Sequence, residues 1–222
     1  MDSEPGPDGP VVTLRRKLNR IWRTIKPQAF GPDDELVAFD LETSNLDPKT
    51  AAILSIGAVP IRGRRIMLSE SFSRTVSSTA PVDTEAVKFH RMRPVDVAGG
   101  DPAGQAVAEF VAWLAGRPLI AYCIGFDSAV LDRVLHEHGH GGLKNAQLDL
   151  RDVYRRAVSR RNPEHTPQMS MDHILADLGV PVSGRHTALG DATAAAISYL
   201  AMRNGATWLP PRTDQRTARS SS

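Results

Sequence analysis

The distribution of apolar residues in this chain predicts an α/β domain, a mixed sheet flanked by helices. Three observations carry that expectation. Residues 36–41 and 53–61 are apolar runs of strand length, the pattern of strands buried on both faces. Strand-like runs come first, and strands alternating with helically spaced segments follow, which gives a sheet with helices packed against it. At 222 residues and 41% hydrophobic, the chain holds one sizeable domain with short extensions and a real core.

The elements are expected in this order. The first dozen residues are rich in Pro, Gly and Asp and are expected to be disordered. Residues 14–26 have helical spacing, with Leu14, Leu18, Ile21, Trp22 and Ile25 on one face and six basic residues elsewhere. Such a stripe suits a membrane surface, a nucleic-acid backbone or a protein partner. A helix packed on the domain with its basic side solvated is favoured. Strands follow at 36–41, 53–61 and 65–76, the last two separated by Arg62-Gly63-Arg64. A helix is expected at 105–114, a strand at 118–123, a helix at 127–136, and a fifth strand at 146–150. Helices near 151–160, 170–178 and 188–203 complete the body. The expected organisation is a basic N-terminal extension at 1–32, a single domain at 33–204, and a flexible tail at 205–222.

The net charge of +2 is unevenly spread. Residues 1–32 carry six Lys/Arg against three acids, and 205–222 carry three against one, leaving 18 basic and 21 acidic side chains between. A mildly acidic body does not hold nucleic acid by charge alone. It suits one that recruits divalent cations to bridge to phosphate. The single cysteine, Cys123, excludes an internal disulfide and fits a reducing cytoplasm, the expected location. No apolar run approaches the roughly 20 residues that cross a bilayer, and the N-terminus lacks the order of a secretory signal.

The chemistry lies in the acids. Residues two apart on a strand share a face, so Asp40 and Glu42 present paired carboxylates at the end of a buried strand. Like charges so placed repel unless a cation neutralises them, and hard oxygen ligands suit Mg²⁺ or Mn²⁺. Asp127 opens a helix after an apolar strand, where an N-cap role is as natural. Asp191 stands near the start of the last helix, five residues after His186, where it also complements the helix dipole. His136, His138 and His140, spaced by two at a helix end among glycines, share no face and read as a solvated terminus.

Asp40-Leu41-Glu42-Thr43, Gly125-Phe126-Asp127 and the segment from His186 to Asp191 together resemble, in order and spacing, the three motifs of the DEDDh-type 3′–5′ exonucleases. That family includes the proofreading subunits of bacterial replicative polymerases. The resemblance covers about residues 34–204 and implies a ribonuclease H-like fold with the acids at one site. It implies that two metal ions, Mg²⁺ or Mn²⁺, bridge the acids to the scissile phosphate. Asp40, Glu42 and Asp191 would hold the first ion, with Asp40 shared. Asp127 would help position the second through water, and His186 would be the general base for the attacking water. Thr43 matches a position near the terminal sugar–phosphate, and Leu46 one that wedges against the bases, unless it simply packs under its loop. Phe126 lines the pocket or fills the core, the core being favoured. His90 resembles a histidine that approaches substrate.

The chain departs from the pattern in places. Asn45 stands where the family commonly has Gly, and Asn tolerates a left-handed conformation. Tyr122-Cys123-Ile124 replaces the usual His-Asn-Ala, which bears on substrate preference more than on catalysis. No short sliding-clamp motif is present. The expected function is release of nucleoside monophosphates from 3′ ends of single-stranded or frayed DNA. The alternatives are an RNA exonuclease, with selectivity set at the 2′-OH, and a non-catalytic binding partner of the same fold.

Overall fold

The computed structural model describes residues 35–181 and 183–203. The helix expected at 14–26 and the tail at 205–222 lie outside the described residues. Six strands form one sheet: β1 (Glu35–Thr43), β2 (Ile53–Arg62), β3 (Arg65–Ile66), β4 (Phe72–Thr75), β5 (Leu119–Ala121) and β6 (Gln147–Asp149). Their order is β3-β2-β1-β5-β6, with β4 also paired to β2. β1 runs antiparallel to β2 and parallel to β5, and β6 is parallel to β5, so the sheet is mixed as expected. The helices among the described residues are α1 (Thr84–His90), α2 (Pro94–Val97), α3 (Ala103–Leu114), α4 (Ile124–Glu137), α5 (Leu150–Arg161), α6 (Met171–Leu178) and α7 (Ala188–Arg203).

β1 is central, and its alternation sets up everything else. Val37, Phe39 and Leu41 face a core shared with Phe110 and Leu114 of α3 and Leu131 and Leu135 of α4. Leu36 and Ala38 face the opposite core, with Leu148, Tyr199, Leu200 and the alanines of α7. Both faces are covered, which is why the run 36–39 is apolar at every position. Ala192, Ala194, Ala195 and Ala196 are buried, and their small size lets α7 lie close on the sheet.

Three expectations are corrected. The strand expected at 65–76 is broken: the polar run Ser69-Glu70-Ser71 interrupts the alternation, and Leu68–Glu70 forms one 3₁₀ turn. Glu70 there accepts from Arg62 at 2.9 Å, and the chain resumes as β4 opposite residues 55–58 of β2. Helices α1 and α2, seven and four residues long, were not expected, being too short to display a helical period. The helix expected from 127 begins at Ile124 instead, with Cys123 in a left-handed conformation (φ 59°) at its N-cap. Asp127 therefore lies in the first turn of α4 and is not its cap.

Candidate active site

Asp40 and Glu42 continue the register of Leu36 and Ala38, so they belong to the face of β1 that α7 covers. Asp40 pairs with Gly57 across β1 and β2. A Cβ at Gly57 would fall 2.1 Å from Leu189 N and 2.2 Å from the Ala188 carbonyl carbon. The missing side chain seats the first turn of α7 against the sheet, and that turn carries Asp191. Asp40, Glu42 and Asp191 each offer an oxygen, and these oxygens lie within 4.8 Å of one another.

The cluster is crowded with negative charge. Glu42 is only 8% exposed, its Oε1 has no hydrogen-bond partner among the described residues, and burial raises its pKa to about 7. The Asp191 charge adds to that rise and the Arg185 charge opposes it. Burial, then the charges of Asp127, Glu42 and Asp191, hold Asp40 well above the usual carboxylate range. Asp127 is buried, and its Oδ1 accepts from the Leu41 N–H at 3.2 Å. Burial raises Asp127 as well, partly offset by backbone hydrogen bonds. A divalent cation would relieve all of this at once, and an all-oxygen donor set with a buried unpartnered carboxylate oxygen fits one.

His186 is exposed and has φ 65°, a conformation uncommon for a residue with a side chain. Its N–H donates to Asp191 Oδ2 at 3.3 Å. The loop before α7 is folded back onto the helix: Thr187 Oγ1 donates to the Gly184 carbonyl at 2.7 Å and accepts from Gly190 N at 3.2 Å. A Cβ at Gly190 would fall 1.7 Å from Gly184 O, so glycine is what allows this closure. His186 is thereby tied to an acid of the cluster, and among the described residues its ring forms no hydrogen bond.

The remaining expected residues divide. Thr43 is buried, its Oγ1 donating to the Asn45 carbonyl at 2.9 Å. Leu46 is 63% exposed, unlike a residue packed under its loop, and lines an open groove of about 590 Å³ with Asn45, Asp47, Thr50 and Val82. Asn45 is not left-handed; its Oδ1 accepts from Asp47 N at 2.9 Å and so makes the turn with its side chain. Arg133 of α4 fixes this loop through the Pro48 carbonyl at 3.1 Å and the Ala51 carbonyl. Phe126 is half-buried and packs on the core. His90 is buried with both ring nitrogens committed: Nδ1 accepts from Met92 N at 2.9 Å, leaving Nε2 to donate to the Thr43 carbonyl at 3.1 Å. It braces the end of β1 through the backbone. Two residues that shape the cluster were missed, Gly57 and Arg185. A glycine within a β-branched strand, and a cation beside His186 amid acids, were the available signals.

The family model described as "Exonuclease" (RNase_T) matches residues 37–199. This chain belongs to that exonuclease family, a metal-dependent class of nucleases. It is 30% identical over 175 residues to a DNA polymerase III subunit epsilon-like protein of Rhodobacter capsulatus, covering 78% of this chain and 24% of that protein. It is 26% identical over 180 residues to DNA polymerase III subunit epsilon of Pasteurella multocida, covering 78% of this chain and 70% of that one. The match to a PolC-type DNA polymerase III of Clostridium perfringens, 26% identical over 164 residues, covers 74% of this chain and 11% of that protein. This chain thus corresponds to a small part of the longer relatives. Among solved structures, exonuclease I superposes with TM-score 0.69 at 17% identity, over 77% of this chain and 41% of that one. Escherichia coli exonuclease I in complex with a dA16 oligonucleotide gives 0.66 at 17%, over 78% of this chain and 41% of that one. The fold is the ribonuclease H-like mixed sheet flanked by helices.

Proposed function

We propose that this chain is a 3′–5′ exonuclease that removes nucleoside monophosphates from single-stranded or frayed DNA, using two Mg²⁺ or Mn²⁺ ions. The observation that carries this reading is the buried, unpartnered Glu42 oxygen within a cluster completed by Asp40 and Asp191. DNA is favoured over RNA because the relatives at 26–30% identity are DNA polymerase III proteins.

Asp40, Glu42 and Asp191 would hold one cation, Asp40 being shared with the second. Asp127 keeps Oδ1 on the Leu41 N–H, and its carboxylate would orient water for the second. When bound, divalent cations neutralise the phosphate and polarise the attacking water and the leaving 3′ oxygen. His186, with an uncommitted ring, takes the proton from the attacking water and must be neutral to do so. Thr43 and Leu46 border the terminal nucleotide, and the groove past Leu46 takes the base. Seating it there requires unpairing, which costs a few kcal/mol in a duplex and little in a single strand.

The test is one purified sample on matched linear DNA and RNA single strands, with Mn²⁺ and with excess chelator. Metal-dependent shortening of DNA from the 3′ end supports the reading. Faster hydrolysis of the RNA strand moves the substrate assignment to RNA, and binding without hydrolysis of either strand overturns the enzymatic reading.

A further inference from the structure

Arg185, the residue before His186, is a cation built into the acidic cluster. Its side chain is only 13% exposed. Nε donates to Asp191 Oδ1 on α7 at 2.5 Å, and Nη1 donates to Asp172 Oδ1 in the first turn of α6 at 2.6 Å. The second oxygen of Asp191 is taken by the His186 N–H at 3.3 Å. One guanidinium therefore links α6 to α7 and, with the adjoining peptide, holds both oxygens of a cluster carboxylate. A planar, permanently charged fork suits that geometry, and an ammonium reproduces the charge without the fork. The Arg185 charge also opposes the upward displacement of Asp40 and Glu42.

We infer that Arg185 is a resident counter-cation: it keeps Asp191 assembled with Asp40 and Glu42 in the metal-free chain, and it sets divalent-cation affinity by occupying Asp191 Oδ1. The inference rests on the reading of the cluster as a metal site. An arriving cation has to share Asp191 with the guanidinium, and two positive charges at one carboxylate repel. Arg185 thus holds affinity below what the three acids alone would give. Asp172 acts in the opposite sense. It draws the guanidinium outward and adds negative potential, and its side chain, 83% exposed, is dispensable for packing. The two variants are therefore expected to move affinity in opposite directions. A residue that merely propped the loop would weaken binding whichever end of the link was cut.

The experiment is calorimetric titration of the full chain with Mn²⁺ alone, without nucleic acid. Arg185→Met is expected to bind Mn²⁺ roughly three- to tenfold tighter, Arg185→Lys within about twofold of the parent, and Asp172→Asn about two- to threefold weaker. Unchanged or weaker binding by Arg185→Met overturns the inference. Should that variant not fold, Asp172→Asn and Arg185→Lys decide it: weaker binding by the first with near-parent binding by the second supports it, and any other pair of results overturns it. If the parent chain binds no Mn²⁺, the metal-site reading fails and this inference with it. Parent binding that Arg185→Met leaves unaltered sinks this inference alone.

Discussion

Glu42 keeps a carboxyl oxygen buried and unpartnered, and burial raises its pKa from 4.5 to about 7. The folded metal-free chain therefore holds a proton on Glu42 at pH values where the unfolded chain has released it. Stability from this group is fully present below pH 4.5 and is lost as pH rises through about 7. Asp40, raised for the same reason, acts in the same direction. In chelator, the melting temperature should fall between pH 5 and pH 8, and Glu42→Gln should flatten part of that fall. Added Mn²⁺ should raise the melting temperature more at pH 8 than at pH 5, since bound cations require the deprotonated acids. A steeper fall in Glu42→Gln than in the parent would contradict the burial account. Glu42→Gln should also lose more activity than the ~10–100-fold that an outer-shell partner is worth. His186 makes a separate prediction: His186→Ala should slow hydrolysis by roughly 10²- to 10⁴-fold, with Mn²⁺ affinity by calorimetry close to the parent's. Loss of metal binding in that variant would make His186 a ligand and not a base.

The elements that carry the candidate site are seated by glycine. Gly57 on β2 leaves the space into which the start of α7 fits, and a Cβ there meets backbone that cannot swing aside. Gly57→Ala should push α7 outward, cost about 1–3 kcal/mol or more in denaturant unfolding, and cut activity by separating Asp191 from Asp40. Gly99→Ala, where an added Cβ meets nothing within 4 Å, is the matched control and should change neither. A Gly57→Ala chain with parental activity would show that the seat of α7 does not set the site. At this level the sequence was informative where periods are long. The apolar runs of β1 and β2 and the spacing of α3, α4 and α7 were legible, and their expected bounds lie within a few residues of those observed. The interruption of 65–76 and the short helices α1 and α2 were not, because a four- to seven-residue segment carries too few positions to show a period. Asn45 illustrates the same limit. Its type signalled a turn, but whether backbone or side chain makes that turn depends on partners such as Asp47 N.

Across the molecule, topology gathers acids that are far apart in sequence. The end of β1 supplies Asp40 and Glu42, the first turn of α4 supplies Asp127, and α7, lying on the opposite face from α4, supplies Asp191. Their order and spacing could be read in the chain, and so could the family to which it belongs. What could not be read is how each residue is surrounded. His90 is buried with Nε2 on the Thr43 carbonyl, a contact that no spacing in the chain announces. Arg185 stands beside His186 in the chain, but its two partners, Asp172 and Asp191, are visible only in the fold. The central claim is that this arrangement works as a metal-dependent nuclease advancing from a free 3′ end. The most direct test follows a 5′-labelled linear DNA strand with a 3′-OH, beside a circular strand of the same composition, in Mn²⁺ and in excess chelator. The arrangement predicts a ladder of progressively shortened labelled strands and released mononucleotides in Mn²⁺, an intact circle, and no products in chelator. Hydrolysis that persists in chelator, or cutting of the circle as fast as the linear strand, would contradict it.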